Sequence, residues 1–243
     1  MILFTNGCSW TWGGGLGLLF KKNDGTLDHK KRLDAVWPAH LGKLLSVEKT
    51  INLAEGCGSN QRVVRTTYDW LRTQPEEVLK ETIAIIQFTE LSRFEFYEPL
   101  EQEKYENLPG QWVKCKWDLV NTDSIHKSKW DPELMLQKAK KRVAETHEIE
   151  DLYRTIGYIY ALEGMFKLFG VKQWYLWHIN NGNGWARDFN VFDTNKILNE
   201  HLNILDSDQL WEYEKISKDD PHPNLSGHKQ IANIIYEKIS VKN

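Results

Sequence analysis

The chain opens Met1-Ile2-Leu3-Phe4-Thr5-Asn6-Gly7-Cys8-Ser9-Trp10-Thr11-Trp12-Gly13, and the reading of this stretch decides the fold. Residues suited to a buried strand run into Asn6-Gly7, a turn signal, followed by a small residue, a serine and a glycine-rich loop. A central strand that ends in a tight turn lifts the next side chain out at the carboxyl edge of its sheet. In open α/β sheets that edge is where ligands bind. On these residues alone the plainer account is the stronger one: a first strand, a flexible loop, and Ser9 as ordinary turn chemistry. The far end of the chain shifts the balance.

There stands Asp219-Asp220-Pro221-His222-Pro223-Asn224-Leu225-Ser226-Gly227-His228, leading into an apolar-periodic helix over 225–239. An aspartate three residues before a histidine, inside a proline-rigidified turn, can hold the imidazole in one tautomer. The other ring nitrogen is then free to take a proton from a serine hydroxyl. A serine is a poor nucleophile without such a base. Together, Gly7-Cys8-Ser9-Trp10-Thr11 and Asp219-x-x-His222-Pro223 resemble the SGNH/GDSL hydrolase family, whose serine follows the first strand and whose aspartate and histidine precede the last helix. The resemblance spans the chain end to end on short blocks. It implies a flavodoxin-like strand order, with Ser9 as nucleophile, His222 as general base and then acid, and Asp219 orienting His222. It needs no metal and no organic cofactor.

The bounds of the chain agree with a single α/β domain over 1–243, because 243 residues bury one sizeable core and barely suffice for two. A net charge of -3 from nearly balanced acids and bases gives no nucleic-acid footprint. No apolar run approaches the roughly 20 residues of a membrane helix, and the N-terminus lacks the order of a secretory signal. Cys8, Cys57 and Cys115 are odd in number and lack metal-ligand spacing, so a reduced, cytoplasmic setting is expected.

Downstream, 33–45 reads as a helix with Val36, Trp37, Leu41, Leu44 and Leu45 on one face, and 48–54 as the second strand. That strand runs into Glu55-Gly56-Cys57-Gly58-Ser59-Asn60, where Ser59 or Asn60 can cap a helix from 61 to about 72. Glycine lets a backbone N–H approach a ligand closely. By resemblance, a glycine N–H here joins that of Ser9 at the oxyanion; such donors are typically worth roughly 3 kcal/mol each in the transition state. Gly58 takes that role, with Gly56 as the substitute and Asn60 adding a side-chain amide. A βα turn needing glycine for geometry alone accounts for the loop equally well.

The run 81–88 is nearly all apolar, as in a central parallel strand buried on both faces. At its end the family carries an asparagine in its third block, whereas this chain reads Gln87-Phe88-Thr89-Glu90-Leu91-Ser92-Arg93-Phe94-Glu95. Thr89 or Gln87 falls near the missing asparagine, and either can donate a hydrogen bond. Arg93 can clamp an anionic substrate group, or pair with Glu90 or Glu95 and hold the loop. From 94 to about 131 the pattern dissolves into an irregular, aromatic-rich insertion, within which 112–118 alternates like a hairpin arm. Its aromatics either cover the site or pin the insertion to the core.

Helix is expected from Asp131 to about 147 and from about 150 to 169, ending at Gly170. The fourth strand, 171–179, leads into Asn180-Asn181-Gly182-Asn183-Gly184-Trp185, whose amides can bind polar substrate groups, Asn181 among them. His178 ranks below His222 as a base. A short last strand is suggested around 203–211, and His228 reads as a surface or packing residue. The alternation of strands and helices implies one mostly parallel sheet between two helical layers, a three-layer α/β/α domain.

The leading functional expectation is an esterase cleaving a small acyl ester, such as an O-acetyl group on a carbohydrate. Ser9, Gly58, Asn60 and Thr89 serve the oxyanion; Arg93, Asn181 and Trp10 serve the substrate, a small molecule or glycan ester. Two alternatives use the same residues: acyl transfer, or a glycan-binding module that keeps the fold without catalysis.

Overall fold

The computed structural model describes residues 1–17, 19–89, 93–99, 115–120, 137, 148–178, 213–218 and 220–240. Within them six strands follow in order: β1 (Ile2–Asn6), β2 (Lys49–Asn52), β3 (Thr82–Phe88), β4 (Phe94–Pro99), β5 (Cys115–Val120) and β6 (Gln173–His178). Four of these make a parallel sheet in the order β2-β1-β3-β6. Ile2 stands opposite Lys49 on one side and Thr82 on the other, and Ile83 opposite Gln173. After β1 the chain adds β2 on one side and then crosses to add β3 on the other. The carboxyl end of β1 is therefore the switch point at which ligand sites form in such sheets. That end leads directly to Ser9.

Period-two alternation divides the strand side chains between two cores. Leu3, Ile83, Ile85, Tyr175 and Trp177 face one layer, made by α3 (Trp37–Leu44) and the C-terminal helix α7 (Leu225–Ser240). Phe4, Ala84, Ile86, Phe88, Trp174 and Leu176 face the other, made by α4 (Asn60–Leu71), α5 (Glu76–Lys80) and α6 (Glu148–Phe169). This is the expected three-layer α/β/α arrangement. The four parallel strands follow the flavodoxin-like order, and all seven residues of β3 are buried. In α7, Ile231, Ile235 and Ile239 recur every four residues and are fully buried or nearly so. At about 2 kcal/mol for each such side chain, they anchor the helix that follows His222.

Local departures from the expected elements have identifiable causes. The helix expected over 33–45 is two helices, α2 (His29–Ala35) and α3, because Pro38 occupies the first turn of α3. Val36 between them takes the extended backbone of an N-cap, with ψ 158°. Leu44, expected on the apolar face, is 40% exposed. β2 stops at Asn52, whose side-chain oxygen accepts the N–H of Ala54 and bends the chain. In α6 the buried face runs through Leu152, Thr155, Ile159, Leu162 and Phe166, leaving Tyr160 outside it.

The irregular insertion contains an ordered antiparallel ribbon, with Phe94 opposite Val120 and Pro99 opposite Cys115. The ribbon is held to α4 by the buried Glu95 carboxylate, which pairs with Arg65 at 3.0 Å. Of the expected helix over 131–147 only residue 137 is described, as helix; the strand around 203–211 and the loop 180–185 lie outside the described residues. Among the described residues no helix is long and apolar enough to cross a membrane.

Candidate active site

After Asn6 the chain turns sharply. The Asn6 side chain accepts its neighbour's N–H from Gly7 and donates to Val63 O, Thr66 and Thr67 on α4, fixing the end of β1. Cys8 is the N-cap of a single helical turn, α1 (Ser9–Trp12), which places Ser9 in its first position. The turn ends at Gly13, whose φ of 85° is the left-handed conformation that glycine adopts without strain. Under it lies Gln87 on β3, which accepts the Thr11 hydroxyl at 2.5 Å. The small residue before Ser9 and the threonine after it thus have defined work: both sit on one buried amide.

The other end of the chain supplies the base. Lys215 bridges to Pro223, Ile216 N–H donates to His222 O, and Ser217 N–H donates to Asp220 O, so 215–223 is a tight hairpin-like turn. His222 Nε2 lies 2.9 Å from Ser9 Oγ, and its Nδ1 lies 2.6 Å from Asp220 Oδ1. A carboxylate only accepts, so Nδ1 carries the proton and Nε2 is left to accept from the serine hydroxyl. Partial burial pushes the Asp220 carboxyl up, but the hydrogen bonds from the His222 side chain and backbone outweigh it and leave it below the ordinary value.

Among the described residues the carboxylate at Nδ1 is that of Asp220; Asp219, the residue expected there, lies outside the described residues. The reason is local. Asp220 Oδ1 also accepts the His222 backbone N–H at 3.0 Å, the two-residue turn that aspartate side chains favour. That preference is the sequence signal that would have picked the second aspartate of the pair.

Trp10, expected at the substrate, is instead 5% exposed and packs beneath the histidine. Its ring lies 5.9 Å from that of His222 and meets Tyr213 edge-on at 5.4 Å. The Tyr213 hydroxyl in turn donates to Pro221 O. Gly14 closes the pair from above: a β-carbon there would stand 3.0 Å from Ser9 Cβ and 3.3 Å from His222 Nε2. Only glycine leaves that approach open.

Of the expected oxyanion residues, Gly58 lies against the serine turn, and Asn60 and Thr89 are engaged with each other. Gly58 abuts the serine turn, its β-carbon position 3.1 Å from Gly7 O, but its N–H donates to Glu55 O at 3.0 Å. Asn60 is 2% exposed; its oxygen accepts Thr89 N–H and its amide donates to Thr89 O, so it ties α4 to β3. Thr89 is fully buried. Among the described residues, the N–H of Ser9 itself meets no acceptor. Arg93 is half-buried at the start of the ribbon. Asn181 lies outside the described residues, as does the side chain of His178, which ends β6.

His228, expected as a surface or packing residue, is fully buried and so takes the packing role. Its Nδ1 accepts the Trp37 N–H at the start of α3, and burial, with the charges of His40 and His222, pulls it down to about 3. It is a neutral core residue, remote in role from His222. Among the described residues no cluster of three or more His, Cys, Asp or Glu could hold a metal ion.

The fold is thus a parallel α/β sheet with a serine at its switch point, and comparisons with known proteins place the chain further. Residues 18–193 match the model of a family described as "Family of unknown function (DUF6071)". The match covers well over half of the chain, and the protein belongs to that family. Ser9, Asp220 and His222 fall outside the matched stretch. No curated protein matches the chain. Among solved structures it is similar to a protein of the G-D-S-L family from Desulfitobacterium hafniense DCB-2, at 14% identity and a TM-score of 0.47, covering 98% of each chain. It is similar at the same identity and score to the lipase Lip_vut3 from a goat rumen metagenome, over 98% of this chain and 97% of that one. A third is LAE5, an alpha/beta hydrolase from the metagenome of Lake Arreo, Spain, at 15% identity and a TM-score of 0.33, covering 100% and 96%.

Proposed function

We propose that this protein is a serine hydrolase that cleaves a small acyl ester, such as an O-acetyl group on a carbohydrate, in the manner of the SGNH/GDSL enzymes its terminal blocks resemble. The observation that carries the reading is the connected line Ser9 Oγ, His222 Nε2, His222 Nδ1, Asp220 Oδ1, with links of 2.9 and 2.6 Å. Each link has the donor–acceptor sense that activates a hydroxyl.

In this mechanism Ser9 Oγ attacks the ester carbonyl while His222 Nε2 takes its proton. The imidazolium, stabilised by Asp220, returns that proton to the departing alcohol and leaves an acyl-serine. Water then attacks the acyl-serine with His222 again as base, releasing the acid and restoring Ser9. The Ser9 N–H serves the oxyanion. Gly58 N–H, which now donates to Glu55 O, joins it on releasing that carbonyl.

The test is labelling with a fluorophosphonate probe and hydrolysis of short-chain p-nitrophenyl esters by wild type, Ser9→Ala and His222→Ala. Labelling and turnover that need both residues support the proposal. A folded wild type that neither labels nor turns over, or a Ser9→Ala variant that hydrolyses as well as wild type, sinks it.

A further inference from the structure

Arg32, in the last turn of α2, is 3% exposed, and its Nε and Nη1 have no hydrogen-bond partner. Among the described residues no carboxylate pairs with it. Glu55 raises its affinity for the proton from a distance, but burial dominates and pulls it down. The Glu55 carboxylate is half-exposed and sits 3.9 Å from Arg62. A buried guanidinium without a counter-charge is costly, and an anion brought to it would relieve that cost.

The position of Arg32 says what supplies it. Its guanidinium carbon lies 3.9 Å above the Trp12 ring, a cation–π contact that orients the charge without neutralising it. Trp12 is the last residue of α1, one helical turn from Ser9, and its half-buried ring also contacts the position of Gly56. With about 1.5 Å of rise per residue, Trp12 stands about 4.5 Å along α1 from Ser9, so the guanidinium over its ring belongs to the same turn as the serine. The direction is set by two adjacent glycines. The β-carbon position of Gly14 is 3.3 Å from His222 Nε2, and that of Gly13 is 3.5 Å from Arg32 Cγ. On the proposed mechanism the departing oxygen faces His222 Nε2, and the Gly13–Gly14 loop joins that atom to the stem of Arg32. The surrounding segment 21–35 is basic: Lys21, Lys22, Lys30, Lys31 and Arg32 against Asp24, Asp28 and Asp34, in a chain whose net charge is -3. A local positive field of this kind draws anions in.

We infer that Arg32, laid on Trp12, recognises a carboxylate or phosphate carried on the alcohol portion of the ester, making the substrate an acylated anionic compound such as a uronate or sugar phosphate ester. The guanidinium fork matches either group with two parallel hydrogen bonds. The assignment to the alcohol side rests on the hydrolase reading; the anion site itself does not.

Two measurements test it. In the first, kcat/KM is determined for para-acetoxybenzoate and para-acetoxyphenyl phosphate, each relative to the neutral para-acetoxybenzamide. Wild type should prefer an anionic ester, and Arg32→Gln should reduce that preference about 10- to 100-fold, the range of one lost charge-assisted contact. Arg32→Lys, which keeps the charge and the packing stem, should retain part of it. A preference unchanged within about twofold in Arg32→Gln overturns the inference, as does a wild type that favours the amide.

The second measurement needs no turnover: benzoate and phenyl phosphate are titrated calorimetrically into Ser9→Ala, with and without Arg32→Gln. Binding of either that requires Arg32 supports the site and says which anion it takes. Binding of neither, or equal binding to both proteins, overturns it. A protein that hydrolyses none of the esters yet binds through Arg32 would refute the hydrolase while leaving the anion site standing.

Discussion

Asp220→Asn and Asp220→Ala should separate sharply, and the reason lies in a single oxygen. Asp220 Oδ1 accepts both the His222 backbone N–H at 3.0 Å and the ring Nδ1–H at 2.6 Å. An asparagine must still satisfy that backbone donor, and only its carbonyl oxygen can. The same oxygen then stays on Nδ1, and Nε2 remains the acceptor facing Ser9. What is lost is charge. A hydrogen bond to a charged group is worth about 1–1.5 kcal/mol more than a neutral one, and Asp220 is 42% exposed, so solvent already screens part of it.

The expected fall in kcat for Asp220→Asn is therefore at most about 5- to 13-fold. A protease triad loses about 10⁴-fold on the same change because its histidine adopts the wrong tautomer. Asp220→Ala removes the acceptor from both donors, frees the ring, and should cost about 10³-fold, near the upper part of the range for general-base catalysis. The assay is kcat on p-nitrophenyl acetate together with the rate of fluorophosphonate labelling; ¹⁵N chemical shifts of His222 report the tautomer. An Asp220→Asn variant as damaged as Asp220→Ala would refute the argument that the backbone N–H pins the side chain. Full activity in Asp220→Ala would show that a different carboxylate orients His222.

Two further outcomes follow from groups already described. His228 is neutral in the fold, pulled down to about 3 from an ordinary 6.5. The unfolded chain therefore binds the extra proton between those values, and stability is lost as pH falls through that window. By linkage this one group costs about 2 kcal/mol at pH 5 relative to pH 7.5. Urea denaturation at the two pH values should show a drop that His228→Asn reduces by about that amount; equal drops in both proteins would refute it. Gly14→Ala puts a methyl 3.0 Å from Ser9 Cβ and 3.3 Å from His222 Nε2. Displacing the pair by even a fraction of an ångström should lower kcat at least about 10-fold, with little change in melting temperature. Unchanged kcat would mean that the glycine loop does not bear on the pair.

The parts of this molecule legible in the sequence are those set by periodicity and by backbone chemistry. Leu3 and Phe4, or Ile85 and Ile86, face opposite layers because successive strand residues must, so the buried sheet could be read directly. Ser9 and His222 could be paired because each stands where an element ends and a side chain is forced out. Asp220 could not be chosen over Asp219 by spacing alone, since the choice depends on which carboxylate satisfies the backbone of the histidine itself. What the donors of Gly58 and Asn60 face depends on Glu55 O and Thr89 O, and such partners emerge only when loops meet. Arg32 was passed over for the opposite reason. In a Lys-Lys-Arg run every residue reads as solvated, and nothing local tells which one the Trp12 ring covers.

Ser9 and His222 are 213 positions apart, and the hydrogen bond between them joins the first strand to the turn before the last helix. At roughly 5–20 residues per second of synthesis, on the order of 10–40 s separate their emergence during translation. Throughout that interval Ser9 is an ordinary hydroxyl, and its strand lacks first β3 and then the face supplied by α7. A chain interrupted anywhere before the turn at 215–223 carries the serine without its imidazole. On the proposed mechanism the contact acts as a check on completed assembly: Ser9 meets its base only once β1 and the 215–223 turn have been brought together by everything between them.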